Sequence, residues 1–305
     1  MVVIIFKALA VIGAILTAIL LFTQIRKRKQ TEQGRENLEF GKKHAVFNAV
    51  AALVANFLDT GGIGAYGTNS AFFKFGKSVN DADVAGTLTA GCAIPMCLEA
   101  FLFLGLADID VLTLVLMMAA AVAGAMLGAR FITKLNTQGM RLMLGIGLLI
   151  MSIFMLLRWA EVGSFAAGGS ADGLTGGKLV IAVVCNFIFG ILMNIGVGLY
   201  APCMAICAAL GMSVTAALPI VFVSCAMLMT YGNAPQFIKA DKFDITATVM
   251  QAIFGSIGAA AGYFLIKNLP VRIITIVIIV VIVITAVKYL TDYKKGTKRT
   301  YKKSN

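Results

Sequence analysis

The chain has 305 residues, of which 60% are hydrophobic and only 13% are charged, and its formal net charge is +12. A charged share about half the usual value excludes an ordinary soluble protein. Several apolar runs exceed the roughly 20 residues that span a bilayer core of about 30 Å. The composition therefore predicts an all-α polytopic protein, integral to the plasma or inner membrane.

The positive charge is concentrated in segment 26–43 and in the tail 294–303. Basic runs beside apolar helices are typical of cytoplasmic loops, and they favour contact with membrane lipids over nucleic acid. The six cysteines all fall within apolar segments, and the single histidine is His44. We therefore expect no disulfide framework, no metal site and no cofactor.

The first apolar segment, 1–25, is predicted to be an N-terminal transmembrane helix. It is longer than the apolar core of a secretory signal, and no small-residue cleavage site precedes the basic cluster. Because the positive charge follows the helix, we expect the N-terminus outside and residues 26–43 in a basic cytoplasmic loop. The basic tail 291–305 is likewise expected to be cytoplasmic.

Two similar halves follow, a first membrane repeat at 44–160 and a second at 178–290, joined by the Gly-, Ala- and Ser-rich linker 161–177. Matching residues recur at an offset that drifts slowly from 135 through 134 and 133 to 131, as a duplication with small gaps would leave. The clearest matched pairs are Gly61 with Gly196, Ser78 with Ser213, Gly124 with Gly258, and Gly128 with Gly262.

Each half begins with an apolar segment that is interrupted by helix-breaking residues, at 45–75 and at 179–210. Three uninterrupted helices are predicted after each, near 84–106, 111–133 and 140–159 in the first half, and near 214–238, 245–266 and 271–290 in the second. The Gly-xxx-Gly pairs are interpreted as helix packing motifs rather than as part of a mechanism.

The topology depends on whether an interrupted segment crosses the membrane once or returns as a hairpin. The hairpin arrangement places four basic residues of the first half inside and two outside, whereas a single crossing reverses them. The four are Lys74, Lys77, Lys134 and Arg141. Charge therefore favours two inverted repeats, each a broken helical hairpin plus three transmembrane helices, with seven crossings in all.

The two interruptions are the predicted binding site. Irregular backbone survives at membrane depth only against protein or a wet cavity, and broken helices at equivalent places of two repeats are typical of transporter sites. Helix N-termini at such breaks bind small anions. The predicted substrate-binding residues are Asn56, Gly61, Gly62, Gly64, Thr68, Asn69, Asn194, Gly196, Gly198, Pro202 and Cys203. Tyr66 and Tyr200 would line the pocket or anchor at the interface.

Acidic residues and thiols near the breaks add further candidates. Asp59 and Glu99 lie in apolar surroundings, where they would carry a coupling proton, cap a helix or hydrogen-bond within the bundle. Cys92 and Cys225 are candidates for contact with a sulfur-containing substrate, although free cysteine is also a common apolar filler. No basic residue is predicted at mid-span, since Lys74 and Arg130 lie towards segment ends, where they would reach the interface.

These motifs resemble those of the TauE/SafE family of sulfite exporters and related anion permeases. The resemblance rests on Gly-Gly-x-Gly at 61–64, on Gly196-Val197-Gly198 followed by Pro202, and on the repeated Gly-x-Ser-Val. It covers about 45–290 and implies a transporter of sulfite, thiosulfate or organic anions such as sulfonates, with a central site. The first repeat departs from the pattern, because Gly67 stands where the second has Pro202.

The predicted function is secondary transport of a small anion by alternating access, not enzyme catalysis. A coupling proton or sodium ion would be a further partner, and both a monomer and a homodimer are compatible with the sequence. Three alternatives stay open: a thiosulfate transporter that uses membrane cysteines, an anion channel, and a membrane thiol oxidoreductase. The last lacks the expected Cys-x-x-Cys pair.

Overall fold

A computed structural model describes residues 2–105, 110–161, 169–265 and 271–296, and within these ranges it contains twelve helices and no strand. The helices are α1 Val2–Arg28, α2 Glu32–Lys43, α3 Ala45–Asp59, α4 Ala65–Gly76, α5 Val84–Phe103, α6 Val111–Ile132, α7 Thr137–Trp159, α8 Gly176–Met193, α9 Tyr200–Ala209, α10 Val214–Lys239, α11 Ile245–Leu265 and α12 Val271–Lys294.

Eight helices of the described part are long and apolar enough to cross a membrane. They are α1, α5, α6, α7, α8, α10, α11 and α12. Apolar side chains such as Ile4, Val180 and Ile273 are more than 60% exposed on their outer faces, where lipid would cover them. The chain is therefore a multi-pass membrane protein of the all-α class.

The basic segment 26–43, predicted as a loop, is largely helical. Thr31 caps α2 by accepting a hydrogen bond from the backbone N–H of Gly34 at 3.1 Å. The helix docks on the start of α11, because the side-chain oxygen of Asn37 accepts from the N–H of Ile245 at 2.9 Å. Thus α2 packs against the bundle. The predicted linker 161–177 lies in part outside the described residues.

Both interrupted segments are helical hairpins, as predicted from charge. In the first, Phe47 near the start of α3 lies 6.3 Å from the ring of Phe72 near the end of α4. In the second, Lys178 at the start of α8 lies beside Gly211, just after α9. The two ends of each segment therefore meet, which excludes a single crossing for either.

The hairpins approach α7 from opposite ends. Arg141, in the first turns of α7, binds Asp81 in the loop at the base of the first hairpin, while Arg158 at the other end contacts Gly62 at its tip. The second hairpin runs the other way, since Phe189 of α8 packs on Phe154 and the later Ile195 reaches Gly147. The two tips pass each other beside the middle of α7.

The Gly-xxx-Gly pairs serve close helix packing, as predicted. α6 of the first half packs on α8 of the second hairpin, and α11 of the second half packs on α3 of the first hairpin. A helix of each half thus packs on the hairpin of the other half. A β-carbon on Gly124 would collide with the carbonyl of Phe187, and one on Gly258 with the carbonyl of Leu53. Gly128 and Gly262 meet the equivalent backbone one turn further on. Only glycine permits this approach.

A buried ionic cluster joins α4, α7 and α12 at the base of the first hairpin. Lys74 bonds Asp81 at 3.0 Å and Asp292 at 2.9 Å, and Arg141 bonds Asp81 at 2.6 Å. The Lys74 ammonium also lies 4.0 Å from the ring centroid of Tyr289. The prediction that Lys74 reaches the membrane interface is therefore wrong, because its carboxylate partners hold it inside the bundle.

Candidate functional site

The first hairpin breaks between α3 and α4 in a short turn of buried glycines. Gly62 and Gly64 have φ angles of 79° and 90°, which side chains other than glycine rarely adopt. Asp59, the last residue of α3, accepts a hydrogen bond from the N–H of Ala65 at 3.0 Å. Its carboxylate thus satisfies a free donor at the start of α4, the capping role that was one of its two predicted roles.

The second hairpin breaks between Met193 and Tyr200. Gly196 has a φ angle of 96°, and Pro202 stands in the first turn of α9, where its missing N–H costs no hydrogen bond. A β-carbon on Gly198 would lie 3.7 Å from the side chains of both Tyr66 and Met151. The second break therefore lies against both the start of α4 and the middle of α7.

The two breaks meet at Gly62. A β-carbon at this position would lie 2.8 Å from the Tyr200 ring and 2.9 Å from the Arg158 guanidinium. Arg158 donates from Nη1 to the Gly62 carbonyl oxygen at 3.3 Å, and its guanidinium lies 5.2 Å from the centroid of the Tyr200 ring. A cation thus stands where the tips of both hairpins come together.

A cavity of about 250 Å³ lies beside this meeting point. Arg272 and Glu161 stand at its mouth, 3.6 Å apart and with side chains 69% and 62% exposed. Its lining residues are Gly61, Gly62, Met155, Arg158, Trp159, Glu161, Ala201, Val271, Arg272 and Thr275. Two guanidinium groups and one carboxylate give the cavity lining a net positive charge, which suits an anionic ligand.

Arg158 is the functional candidate that sequence reasoning missed. In the sequence, Arg158 enters only the topology argument, as one of two positive charges of the first half that lie on the outer side. In the fold the first hairpin runs along α7 far enough for its tip to reach Arg158. The sequence predicts no basic residue at mid-span, and Arg158 stands at the end of α7, where the tip of the first hairpin extends to it.

Three predicted site residues form a buried polar network that Gln251 organises. Its side-chain oxygen accepts from Asn56 at 3.0 Å, from Asn69 at 3.3 Å and from the thiol of Cys92 at 3.6 Å. Its amide nitrogen donates to Asn69 at 2.6 Å. Gln251 opens a π-helical segment of α11, Gln251–Gly255, and such segments occur often at functional sites. The network ties α11 to both arms of the first hairpin.

Asn194 and Thr68 bond to the backbone rather than to the cavity. The Asn194 amide donates to the carbonyls of Ala125, Gly190 and Ile191, and its oxygen accepts from Asn233 at 3.2 Å. Thr68 donates to the carbonyl of Gly64 at 3.0 Å. Both side chains therefore hold the breaks in shape. Of the predicted binding residues, Gly61 and Gly62 line the cavity described above.

Glu99 is a fully buried carboxyl in the last turns of α5. Neither of its oxygens has a hydrogen-bond partner among the described residues. It interacts electrostatically with Asp59, with Tyr200 and with the thiols of Cys92 and Cys225. Two of the predicted sulfur-contact residues and both candidate proton carriers therefore belong to one interior cluster.

Cys203 is buried in the first turns of α9, and Cys207, also buried, follows it one turn later on the same helix. All six cysteines are free. Tyr66 and Tyr200 are 3% and 7% exposed, and the Tyr66 hydroxyl donates to Thr89 at 3.0 Å. Interface anchoring is therefore wrong for both tyrosines, because the packed hairpins cover them.

Comparison with known proteins adds nothing to this geometry: no family model, no curated protein and no solved structure matches the chain. Functional inference therefore depends on the site itself. What the site offers is irregular backbone from two broken hairpins, a cation between their tips, and a cavity that opens beside it.

Proposed function

We propose that the protein is a secondary transporter of a small anion, of the type that the TauE/SafE resemblance implies, and that the anion binds where the two hairpin tips meet. The observation that carries this proposal is the 250 Å³ cavity bounded by Gly61, Gly62 and Ala201, with Arg158 on its wall. Broken helices that meet in the interior are typical of transporter sites, and irregular backbone there is otherwise costly.

The binding chemistry combines backbone donors with one guanidinium. The first turn of α9 presents N–H groups that lack helical partners, and the positive end of the helix dipole adds to their attraction for anions. One nitrogen of Arg158 is tied to the Gly62 carbonyl and the guanidinium lies against Tyr200, and its five N–H donors are enough for it also to bind a planar or tetrahedral oxyanion. Sulfite, thiosulfate, sulfonates and carboxylates all present the required oxygens.

The unequal ends of the bundle support alternating access. At one end the cavity opens between Arg272 and Glu161; at the other, Lys74, Asp81 and Arg141 form a buried ionic contact. With inverted repeats and the N-terminus outside, the open end faces outward and the ionic cluster closes the cytoplasmic end. Transport would then require the cluster to loosen while the halves rock about the tips of the hairpins.

We assign the coupling of anion transport to proton movement to two buried acids, Glu99 and Asp59. Glu99 and Asp59 interact with each other, and Asp59 caps the helix that follows the first break. A proton exchanged at Glu99 would change the charge next to the anion site and so link the two fluxes. Without such coupling, an inside-negative potential favours efflux of the anion.

The first experiment is a thermal-shift screen of the purified full chain. Sulfite, thiosulfate, sulfate, an alkyl sulfonate and a carboxylate would be compared at equal ionic strength, with chloride as the control. We expect at least one oxyanion to raise the melting temperature, because a ligand that binds only the folded state stabilises it. If none does, the anion-site proposal fails.

The second experiment separates a transporter from a channel. Proteoliposomes loaded with unlabelled anion at high concentration would be diluted into labelled anion at much lower concentration. Saturable counterflow is expected for alternating access, whereas a channel gives no transient accumulation of label.

A thiosulfate transporter that uses thiols is the second candidate, and it is favoured by the two buried thiols of Cys203 and Cys207, which lie one turn apart on α9 beside the second break. A thiol oxidoreductase would need accessible thiols, whereas these two are fully buried.

A further inference from the structure

A second cavity, of about 400 Å³, lies on the side of the bundle between α1, α5 and α11. Ala10 and Ala14 of α1 form its floor, and Leu98 and Phe101 of α5 lie across from them. The hydroxyl of Ser256, which also lines it, donates to the carbonyl of Ala252 at 2.7 Å and so offers no proton to a ligand. The groove is apolar and shares no lining residue with the cavity at the hairpin tips.

The groove opens sideways towards the surroundings of the bundle. Val11 and Ile15 of α1 line it and are 46% and 53% exposed, and Phe101 is 39% exposed. Water is disfavoured in a cavity whose lining offers it no hydrogen bonds. In a helix that crosses a membrane, the molecules beside these residues are lipids.

The position of Lys7 along α1 indicates how deep in the bilayer the groove lies. Twenty residues separate it from Lys27 in the cytoplasmic-type basic cluster, and at 1.5 Å per residue this is about 30 Å, the thickness of a bilayer core. Lys7 therefore lies at headgroup level on the side opposite that cluster. The groove residues Ala10 to Ile15 lie up to about 12 Å deeper, within the acyl region.

Lys7 also stands directly above the groove. It precedes Ala10 and Ala14 by three and seven residues, the spacing of one helix face. Its ammonium lies 4.7 Å from the ring centroid of Phe101, which lines the cavity. A cation at headgroup level thus caps an apolar groove that descends into the bilayer.

We propose that this groove is a phospholipid site, in which the lipid phosphate binds Lys7 and one acyl chain occupies the space between α1 and α5. The volume holds on the order of a dozen methylene groups, if each takes roughly the 30 Å³ of a water molecule. The bound chain fills the gap between the N-terminal helix and α5, the helix that carries Glu99.

Native mass spectrometry of the full chain, purified in mild detergent, tests this site. Wild-type protein is expected to retain one phospholipid per chain, and Ala14→Trp, which fills the groove, to lower the bound fraction at least tenfold. Lys7→Gln is expected to remove any preference for anionic over zwitterionic phospholipid. The matched controls are Leu16→Trp, on the opposite exposed face of α1, and Lys29→Gln, at its far end; both should retain lipid as wild type does.

Photo-crosslinking uses the wild-type chain, so its result does not depend on whether a variant folds. A phospholipid with a diazirine in its acyl chain is expected to label segments 10–15 and 94–101 in reconstituted vesicles. The proposal is overturned if wild type retains no phospholipid, if Ala14→Trp retains as much as Leu16→Trp, or if the label falls elsewhere. Occupation by a non-phospholipid molecule or by a second copy of the chain would also overturn it.

Discussion

Arg158 and Gly62 connect the end of a transmembrane helix to the tip of a broken hairpin. The guanidinium donates to the Gly62 carbonyl at 3.3 Å and also faces the Tyr200 ring at the start of α9. One side chain therefore contacts both breaks, although the backbone at each break comes from a different half of the chain.

The first prediction concerns that guanidinium. Arg158→Gln removes the charge next to the cavity, and a hydrogen bond to a charged group contributes about 1.5–3 kcal/mol net. We expect the affinity for the stabilising oxyanion to fall by about tenfold or more. Isothermal titration of the purified protein measures it. Arg130→Gln is the matched control, since Arg130 is exposed near the end of another span, and equal losses in both variants would contradict an anion site at Arg158.

The second prediction concerns the backbone at the first break. Gly62→Ala forces a β-carbon into the left-handed region, which costs about 1–2 kcal/mol, and brings it within 3 Å of Tyr200 and Arg158. We expect a lower melting temperature and loss of anion stabilisation. Gly177→Ala is the control, because a β-carbon there has no neighbour within 4 Å. Gly196→Leu should likewise remove binding. Anion binding retained by both break variants would mean that the breaks are only structural.

Sequence reasoning predicted the elements because their signals are local. The helix predicted at 140–159 is observed as Thr137–Trp159, and the charge count selected hairpins that the Phe47–Phe72 contact confirms. It did not predict the environment of Lys74 or Arg158, because a position near the end of a span does not reveal which hairpin packs beside it. The role of Gln251 could not be predicted either, because it depends on a π-helical turn and on contacts with residues far away in sequence.

The third prediction concerns the ionic cluster. Asp81→Asn leaves Lys74 and Arg141 without a shared carboxylate, and removal of one partner from a buried ion pair typically costs about 3–5 kcal/mol. We expect a marked fall in the free energy of unfolding, measured by denaturant titration in detergent. Asp241→Asn is the control, because its 3.8 Å pair with Arg28 involves a carboxylate that is 51% exposed. Similar small losses of unfolding free energy in both variants would argue that the ionic cluster does not hold the cytoplasmic end of the bundle closed.

The fourth prediction separates the two transport hypotheses. If backbone and Arg158 bind the anion, Cys203→Ala and Cys225→Ala should leave sulfite counterflow within about twofold of wild type, since each removes a small buried thiol. If the substrate reacts with thiols, the same variants should abolish thiosulfate flux while the protein stays folded. Flux measured in matched proteoliposomes, with Cys185→Ala as a control at a partly exposed position, decides between them.

The last prediction concerns Glu99, whose oxygens have no partner among the described residues. Glu99→Gln keeps the shape and cannot release a proton, so the fold should lose little stability while coupling is lost. We expect anion accumulation driven by a pH gradient to disappear, and counterflow without a gradient to persist. Asp59→Asn is the comparison, because its side-chain oxygen can still accept from the Ala65 N–H. If Glu99→Gln leaves gradient-driven uptake intact, the carboxyl only fills the bundle interior, and the coupling proton must be carried by another group.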